Sequence, residues 1–382
     1  MEEKYKLPNG WEEKRLDDLF KEFTEKNHAD KNILASTQDR GVIPSDLLDR
    51  HIIRKKESLS NYKLVKKGCF VISLRSFQGG FEYSNYEGII SPAYTILEPK
   101  IKLVDDFYKY YFKSYYFINK SLPKYAEGIR DGKQIKYKAC KEILVPYPPL
   151  DEQKRIASAL SKIDAYLENT IKLIEEKERF KRGIVKKLLT CKEVENIPEA
   201  RFKGFEDEWE TVMLGDILSY EQPKDYIVKS EEYNNKYKYP VLTAGKTFIL
   251  GYTNEEFGIY NKLPVIIFDD FTTDAQYVDF PFKVKSSAIK ILKSKYYNTK
   301  LIYELIKNIK FNARTHKRYY ISEYQYLKIK IPKSIKEQED ISGYLSLLDK
   351  EIDNLKKQKE LIKEMKKGAM QKLLSGEVRL LE

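Results

Sequence analysis

The sequence predicts an α/β (α+β) chain built twice over. Two globular domains are joined by two long antiparallel coiled-coil helices, with a pseudo-two-fold internal repeat. Three observations lead there. A long amphipathic helix pattern occurs twice. A short tryptophan-led element opens the segment before each copy. Strand-like and helix-like stretches follow in the same order in both segments.

The first helix pattern occupies 151–189. Apolar residues at Ile156, Leu160, Ile163, Leu167 and Ile174 are spaced in fours and threes, with Thr170 in the series. That spacing is the seam of a coiled coil rather than the wider face of a buried helix. Asp151, after Pro148 and Pro149, is placed to cap the start. The second pattern carries Ile341, Leu345, Leu348, Ile352, Leu355, Ile362 and Leu373, and Ser334 with Glu337 has capping-box spacing. One constant offset aligns Glu152-Gln153 with Glu337-Gln338, Asp164 with Asp349, Gly183 with Gly368, and Leu188-Leu189 with Leu373-Leu374. Unrelated helices would not share register, cap and interior glycine. At about 1.5 Å per residue the first helix is roughly 60 Å long. Such a rod needs a partner, and the second helix is the obvious one. The expected seam is Ile156, Leu160, Ile163 and Leu167 with Ile341, Leu345, Leu348 and Ile352.

The element Trp11-Glu12 with Leu16, Asp18, Leu19 and Phe20 returns as Trp209-Glu210 with Leu214, Asp216, Ile217 and Leu218. Strands are expected at 69–74 and 264–268, and at 91–97 and 286–292. Helices are expected at 105–122 and 299–311, then proline-ended strands at 143–146 and 329–332. The domains therefore fall at 1–150 and 201–335. The first helix is 151–189, a polar connector covers 190–200, and the second helix with its tail covers 336–382.

A chain of 382 residues has room for more than one core. Lys and Arg number 70 against 58 Asp and Glu, and the net charge of +12 attracts a polyanion at long range. The 30 Tyr are explained as well by A/T-rich coding as by binding, so the position of basic clusters matters more than the counts. Cys69, Cys140 and Cys191 form no CxxC pair, which argues against a disulfide framework or zinc knuckle. His28, His51 and His316 form no metal-ligand cluster. The N-terminal stretch lacks the apolar core of a signal peptide and no apolar run approaches membrane-spanning length, so a cytoplasmic protein without membrane contact is expected.

Catalytic patterns are missing. The run from Pro240 to Thr247 nearly matches a phosphate-binding loop, but Pro240 stands where the loop needs a glycine. Pro148-Pro149 lacks the Asn or Asp before it that an amino-methyltransferase loop requires. Asp269-Asp270 could hold a divalent ion, but no third carboxylate or lysine completes a nuclease site, and an exposed strand-end pair is the plainer expectation.

Binding chemistry is better represented. The loop Arg75-Ser76-Phe77-Gln78-Gly79-Gly80 offers side chains able to contact guanine and adenine edges, with glycines permitting close approach. A second loop carries Arg130, Lys133 and Gln134. In the other repeat Arg314, His316, Lys317, Arg318 and Tyr319 fill the matching slot, and Lys246 and Thr247 are further candidates. A solvated basic turn explains any one of these loops. Two at the same repeat position favour a nucleic-acid face.

The whole plan resembles the specificity subunit of a type I DNA restriction-modification system. The carriers are Gly10-Trp11-Glu12 with Leu16 and Asp18; Ser91-Pro92-Ala93-Tyr94; Val145-Pro146 through Pro149 with Glu152-Gln153; Lys187-Leu188-Leu189; Arg201-Phe202 with Gly204-Phe205 and Trp209; and the run from Gln371 to Arg379. Pro332-Lys333-Ser334 and Ser286-Ser287-Ala288 depart from the fuller proline pattern. The resemblance implies a non-catalytic chain with two target-recognition domains. Each domain would read half of a bipartite site on double-stranded DNA, with the helices as spacer. It implies two methyltransferase subunits and restriction (translocase/nuclease) subunits as partners in a prokaryotic cell. S-adenosylmethionine, ATP and Mg would belong to those partners, with no cofactor in this chain. The repeated helix ends Lys186-Lys187-Leu188-Leu189 and Gln371-Lys372-Leu373-Leu374, whose Leu189 and Leu374 lie off the seam, are expected to contribute to methyltransferase docking. A stand-alone coiled-coil DNA-binding protein and a diverged nuclease or methyltransferase are the other readings.

Overall fold

Each repeat folds around a four-stranded antiparallel sheet that one end of a long helix closes off. The computed structural model describes residues 7–48, 56–127, 134–192, 195–243, 247–313 and 317–381. It divides into two units: Met1–Ile171 with Lys357–Glu382, and Lys172–Lys356. The division falls inside both long helices, Leu150–Leu189 and Ile335–Ser375. Each unit therefore owns the start of one helix and the end of the other, which the linear domain boundaries did not anticipate.

In the first unit the sheet order is Phe20–Phe23, Thr95–Pro99, Phe70–Ile72, Glu82–Tyr83. In the second it is Leu218–Glu221, Ile289–Ser294, Val265–Asp269, Ala275–Val278. The Trp-led strand pairs with the proline-ended strand in both: Glu12–Arg15 with Leu144–Tyr147, and Glu210–Met213 with Lys328–Ile331. Some expected elements are shorter. The strand expected from residue 91 begins at Thr95, because a turn closed by Tyr94 N on Ser91 O comes first. The helix expected over 105–122 is regular only through Asp105–Tyr111, after which Ser114 Oγ accepts from Phe117 N and competes with the helical ladder.

Asp151 lies inside the first helical turn, since the helix begins at Leu150, and its carboxylate accepts from Lys154 Nζ at 3.1 Å. Glu337 makes only half of the expected capping box: its N–H donates to Ser334 Oγ, while its carboxylate points elsewhere.

That carboxylate explains the repeated Glu-Gln. Glu337 accepts from Trp209 Nε1 at 3.2 Å and from Arg201 Nε and Nη2 at 2.7 and 2.8 Å. Glu152 accepts from Trp11 Nε1 at 2.9 Å and from Arg379 Nε and Nη2 at 2.6 and 2.7 Å. Each glutamate is buried beside its tryptophan, and the arginine comes from beyond the end of the other repeat's helix. The glutamines brace the helix starts. Gln153 accepts from Val104 N and donates to Pro148 O, and Gln338 accepts from Asn298 N and donates to Pro332 O.

The apolar register of each long helix serves two surfaces. Ile156 and Leu160 are fully buried in the first unit's core with Trp11, Phe107 and Leu373. Ile341, Leu345 and Leu348 are buried in the second unit's core with Trp209, Leu301 and Leu188. So the first turns present the wide face of a core helix, and helix-to-helix pairing follows only further along. Ile163 and Leu167 are half-buried and Ile352 is buried there. The pairing is antiparallel within each unit. Asp164 meets Lys366 in the first; in the second, Lys181 meets Asp349 and Lys177 meets Glu351. Leu374 and Leu189 are buried in the cores of the first and second units, so these two leucines pack inside rather than on the helix surface.

Candidate nucleic-acid interface

In the first unit, strand Phe70–Ile72 runs directly into the Arg75 loop. Arg75 precedes a single helical turn, Ser76–Gly79, and is exposed, as is Gln78. Ser76 is not available for contact. It is 1% exposed, because its Oγ accepts from Ser73 N at 2.8 Å to close the turn. Gly80 has φ +75°, and a Cβ there would stand 1.8 Å from Phe112 O, so only glycine fits this bend. Strands Ala126–Glu127 and Gln134–Ile135 pair antiparallel, and Gln134–Ile135 adjoins that helical turn, which brings one flank of the second expected loop beside the first. Beside them a cavity of about 250 Å³ is lined by Glu22, Ser73, Leu74, Lys136 and Lys138, among others. The two lysines were passed over in the sequence, although the density of lysine after residue 132 was visible there.

In the second unit the equivalent strand, Val265–Asp269, runs into Asp270 and Phe271. The basic loop is bonded to this turn: Tyr319 N donates to Asp270 O at 2.9 Å, and Tyr320 N donates to Asp270 Oδ1 at 2.8 Å. Asp270 Oδ2 lies 3.6 Å from Lys290 Nζ, and Asp269 Oδ1 accepts from Phe271 N and Thr272 N. Asp269 and Asp270 are thus buried, not an exposed pair, and they shape the loop. Among the described residues no group of three or more His, Cys, Asp or Glu could hold a metal ion.

Arg318 is exposed, its guanidinium 5.9 Å from the Phe271 ring centroid. Lys317 is exposed and ion-paired with Glu323, whose hydrogen bond raises the lysine's pKa. Tyr319 is 2% exposed and packs edge-on against Phe311, so it supports the loop from beneath instead of facing a ligand. Thr247 is exposed but belongs to another sheet, in the turn between Tyr239–Leu242 and Ile249–Thr253. Arg130, Lys133, Lys246, Arg314 and His316 lie outside the described residues, and Gln134 is described through its backbone alone.

The two units thus share a construction. In each, the loop after the third strand of the sheet is joined by described residues that precede the proline-ended strand, Gln134–Ile135 in the first unit and Tyr319 with Tyr320 in the second. The loop after the third strand was expected as a binding loop only in the first unit. Its counterpart, 269–274, was hidden by its acidic sequence.

No helix among the described residues is long and apolar enough to cross a membrane. The family model described as "Type I restriction modification DNA specificity domain" matches residues 8–176 and again 206–364, once per repeat. The Escherichia coli type I restriction enzyme EcoR124I/EcoR124II specificity subunit is 51% identical over 141 residues; the match spans 35% of this chain and about a third (34%) of that subunit. The Methanocaldococcus jannaschii MjaVIII specificity subunit is 25% identical, over 98% of this chain and 94% of its own. The crystal structure of a type I restriction-modification system S subunit from M. genitalium covers 96% of this chain and 97% of its own, with TM-score 0.63 and 19% identity, a likeness of fold. With both repeats matched, the chain belongs to the family of type I restriction-modification specificity subunits.

Proposed function

We propose that this chain is the DNA-reading, non-catalytic scaffold of a type I restriction-modification complex. The first unit reads one half of a bipartite site through Arg75, Gln78 and the 128–134 segment. The second reads the other half through Arg318, the 269–274 loop and the 314–320 segment. Two methyltransferase subunits dock on the long helices, and restriction subunits join them. S-adenosylmethionine, ATP and Mg are held by those partners, and the complex works on cytoplasmic DNA. The observation that carries the reading is the exposed arginine that each unit presents at or beside the loop after the equivalent strand, Arg75 in the first and Arg318 in the second.

The test is binding of the full chain to duplexes altered one base pair at a time. Arg318→Ala is expected to relax discrimination at one position of the second half-site by about 1–3 kcal/mol and to leave the first half-site intact. Lys317→Ala should weaken all sequences alike and lower the salt slope by about one. Because Glu323 occupies Lys317, Glu323→Gln should strengthen binding to every sequence. Unchanged second-half discrimination after loss of Arg318, or altered preference at the first half, would rule the assignment out.

A further inference from the structure

Under the Arg75 loop lies an ion pair that neither the core nor the exposed face explains. Glu82, on the edge strand of the first unit's sheet, is 2% exposed. Its Oε1 takes Lys113 Nζ at 2.5 Å, while its Oε2 is buried with no hydrogen-bond partner among the described residues. Lys113 does more than neutralise it. The same ammonium donates to Gly79 O at 2.8 Å and to Gln38 O at 3.3 Å. The residue before it, Phe112, supplies the carbonyl against which Gly80 is pressed. Residues 112 and 113 thus grip the loop at consecutive positions, Gly80 by contact and Gly79 by hydrogen bond. Glu82 is buried and the Lys113 side chain is 27% exposed; an ion pair with a buried member gains little net stability over apolar residues of the same volume, and a role in fixing one geometry is its best-attested use. The second unit also places an acid–lysine pair beside its loop, but there the acid does the holding: Asp270, 3.6 Å from Lys290 Nζ, accepts from Tyr320 N.

We infer that Lys113, held by Glu82, is the positioning residue that sets the Arg75–Gly80 loop against DNA and so determines specificity at the first half-site. This rests on the assignment of that loop to DNA reading. Neither residue touches DNA. Lys113 acts through the Gly79 carbonyl, and loss of its grip lets Arg75 and Gln78 leave the geometry that two-point base contacts require.

The pair also responds to pH. Burial pushes the Glu82 carboxyl up to about 7; Lys113 opposes that shift and Asp39 adds to it. Above that pH Glu82 is charged and holds Lys113. Below it Glu82 is neutral and the grip loosens. Folding stability moves the opposite way. A carboxyl with a raised folded pKa favours the folded state most at low pH, and this contribution is lost as pH rises through about 7. Weaker reading at pH 6 than at pH 8 would therefore not reflect unfolding through Glu82.

The experiment selects randomised duplexes with the full chain and scores base preference at each half-site. Lys113→Met is expected to lower first-half discrimination roughly tenfold, the size of one lost base contact, with the second half unchanged as the internal control for folding. Lys113→Arg should restore part of it. The unmodified chain should lose first-half discrimination between pH 8 and pH 6, and Glu82→Gln should abolish that pH dependence. If Arg75→Ala with Gln78→Ala reduces first-half discrimination but Lys113→Met does not, the positioning role is wrong while the loop assignment stands. If the Arg75 and Gln78 changes have no effect either, both fall. Should Lys113→Met impair both half-sites, the pH profile decides, and a flat first-half profile in the unmodified chain overturns the inference.

Discussion

Arg379→Ala is expected to destabilise the first unit by about 3 kcal/mol, at the low end for removing one partner of a buried ion pair because the arginine side chain is partly exposed. The change leaves Glu152 buried with the Trp11 indole as its remaining hydrogen-bond donor at that site. Burial alone would push the Glu152 carboxyl up; the hydrogen bonds from Arg379 and Trp11 outweigh it and hold the pKa below its ordinary value. A carboxylate with a lowered pKa stabilises the fold above its unfolded pKa, and that contribution is lost as pH falls through the lowered folded value. Urea unfolding should therefore show a large difference between variant and unmodified chain at pH 7 that shrinks in acid below the usual glutamate range. Arg201→Ala should likewise lower the stability of the second unit at pH 7, because it leaves the buried Glu337 without its arginine partner beside Trp209. Equal stability of Arg379→Ala and the unmodified chain at pH 7 would mean that the clasp is not a structural element.

Leu160→Ala should cost about 3 kcal/mol, whereas Leu167→Ala, two turns further on, should cost about 1 kcal/mol. The two leucines belong to one heptad-like series. Leu160 is fully buried among the aromatic side chains of the first unit, where the surrounding core cannot close over a cavity. Leu167 is half-buried on the paired-helix stretch. Leu345→Ala should match Leu160→Ala, since it holds the corresponding place in the second unit. The measurement is the denaturation midpoint at constant m-value. Equal effects at residues 160 and 167 would return the whole series to a simple coiled-coil seam.

Periodic features were legible without coordinates because they recur along the chain. The four-three spacing from Ile156 gave a long helix, the constant offset from Glu152-Gln153 to Glu337-Gln338 gave the duplication, and the apolar runs at 69–74 and 264–268 gave two of the central strands. Local patterns of that kind depend on backbone geometry, which neighbouring residues specify. What lay beyond them was set by residues far apart. Trp11, Glu152 and Arg379 meet only because the end of one repeat's helix reaches the globular part of the other. Nothing in the spacing of those three residues encodes that contact. Leu189 and Leu374 read as off-seam surface because a helical wheel counts one face, while in each unit they enter a core from another direction. Within loops no period separates inside from outside. Arg75 and Arg318 face solvent, while Ser76 and Tyr319 beside them are buried. Ser76 is turned inward by the bond its Oγ accepts from Ser73 N, and Tyr319 by the bond its N–H donates to Asp270 O, a residue brought to it by the sheet. The sequence by itself determined the duplicated plan and its two long helices; tertiary packing decided which side chains of each loop remain free to meet a ligand.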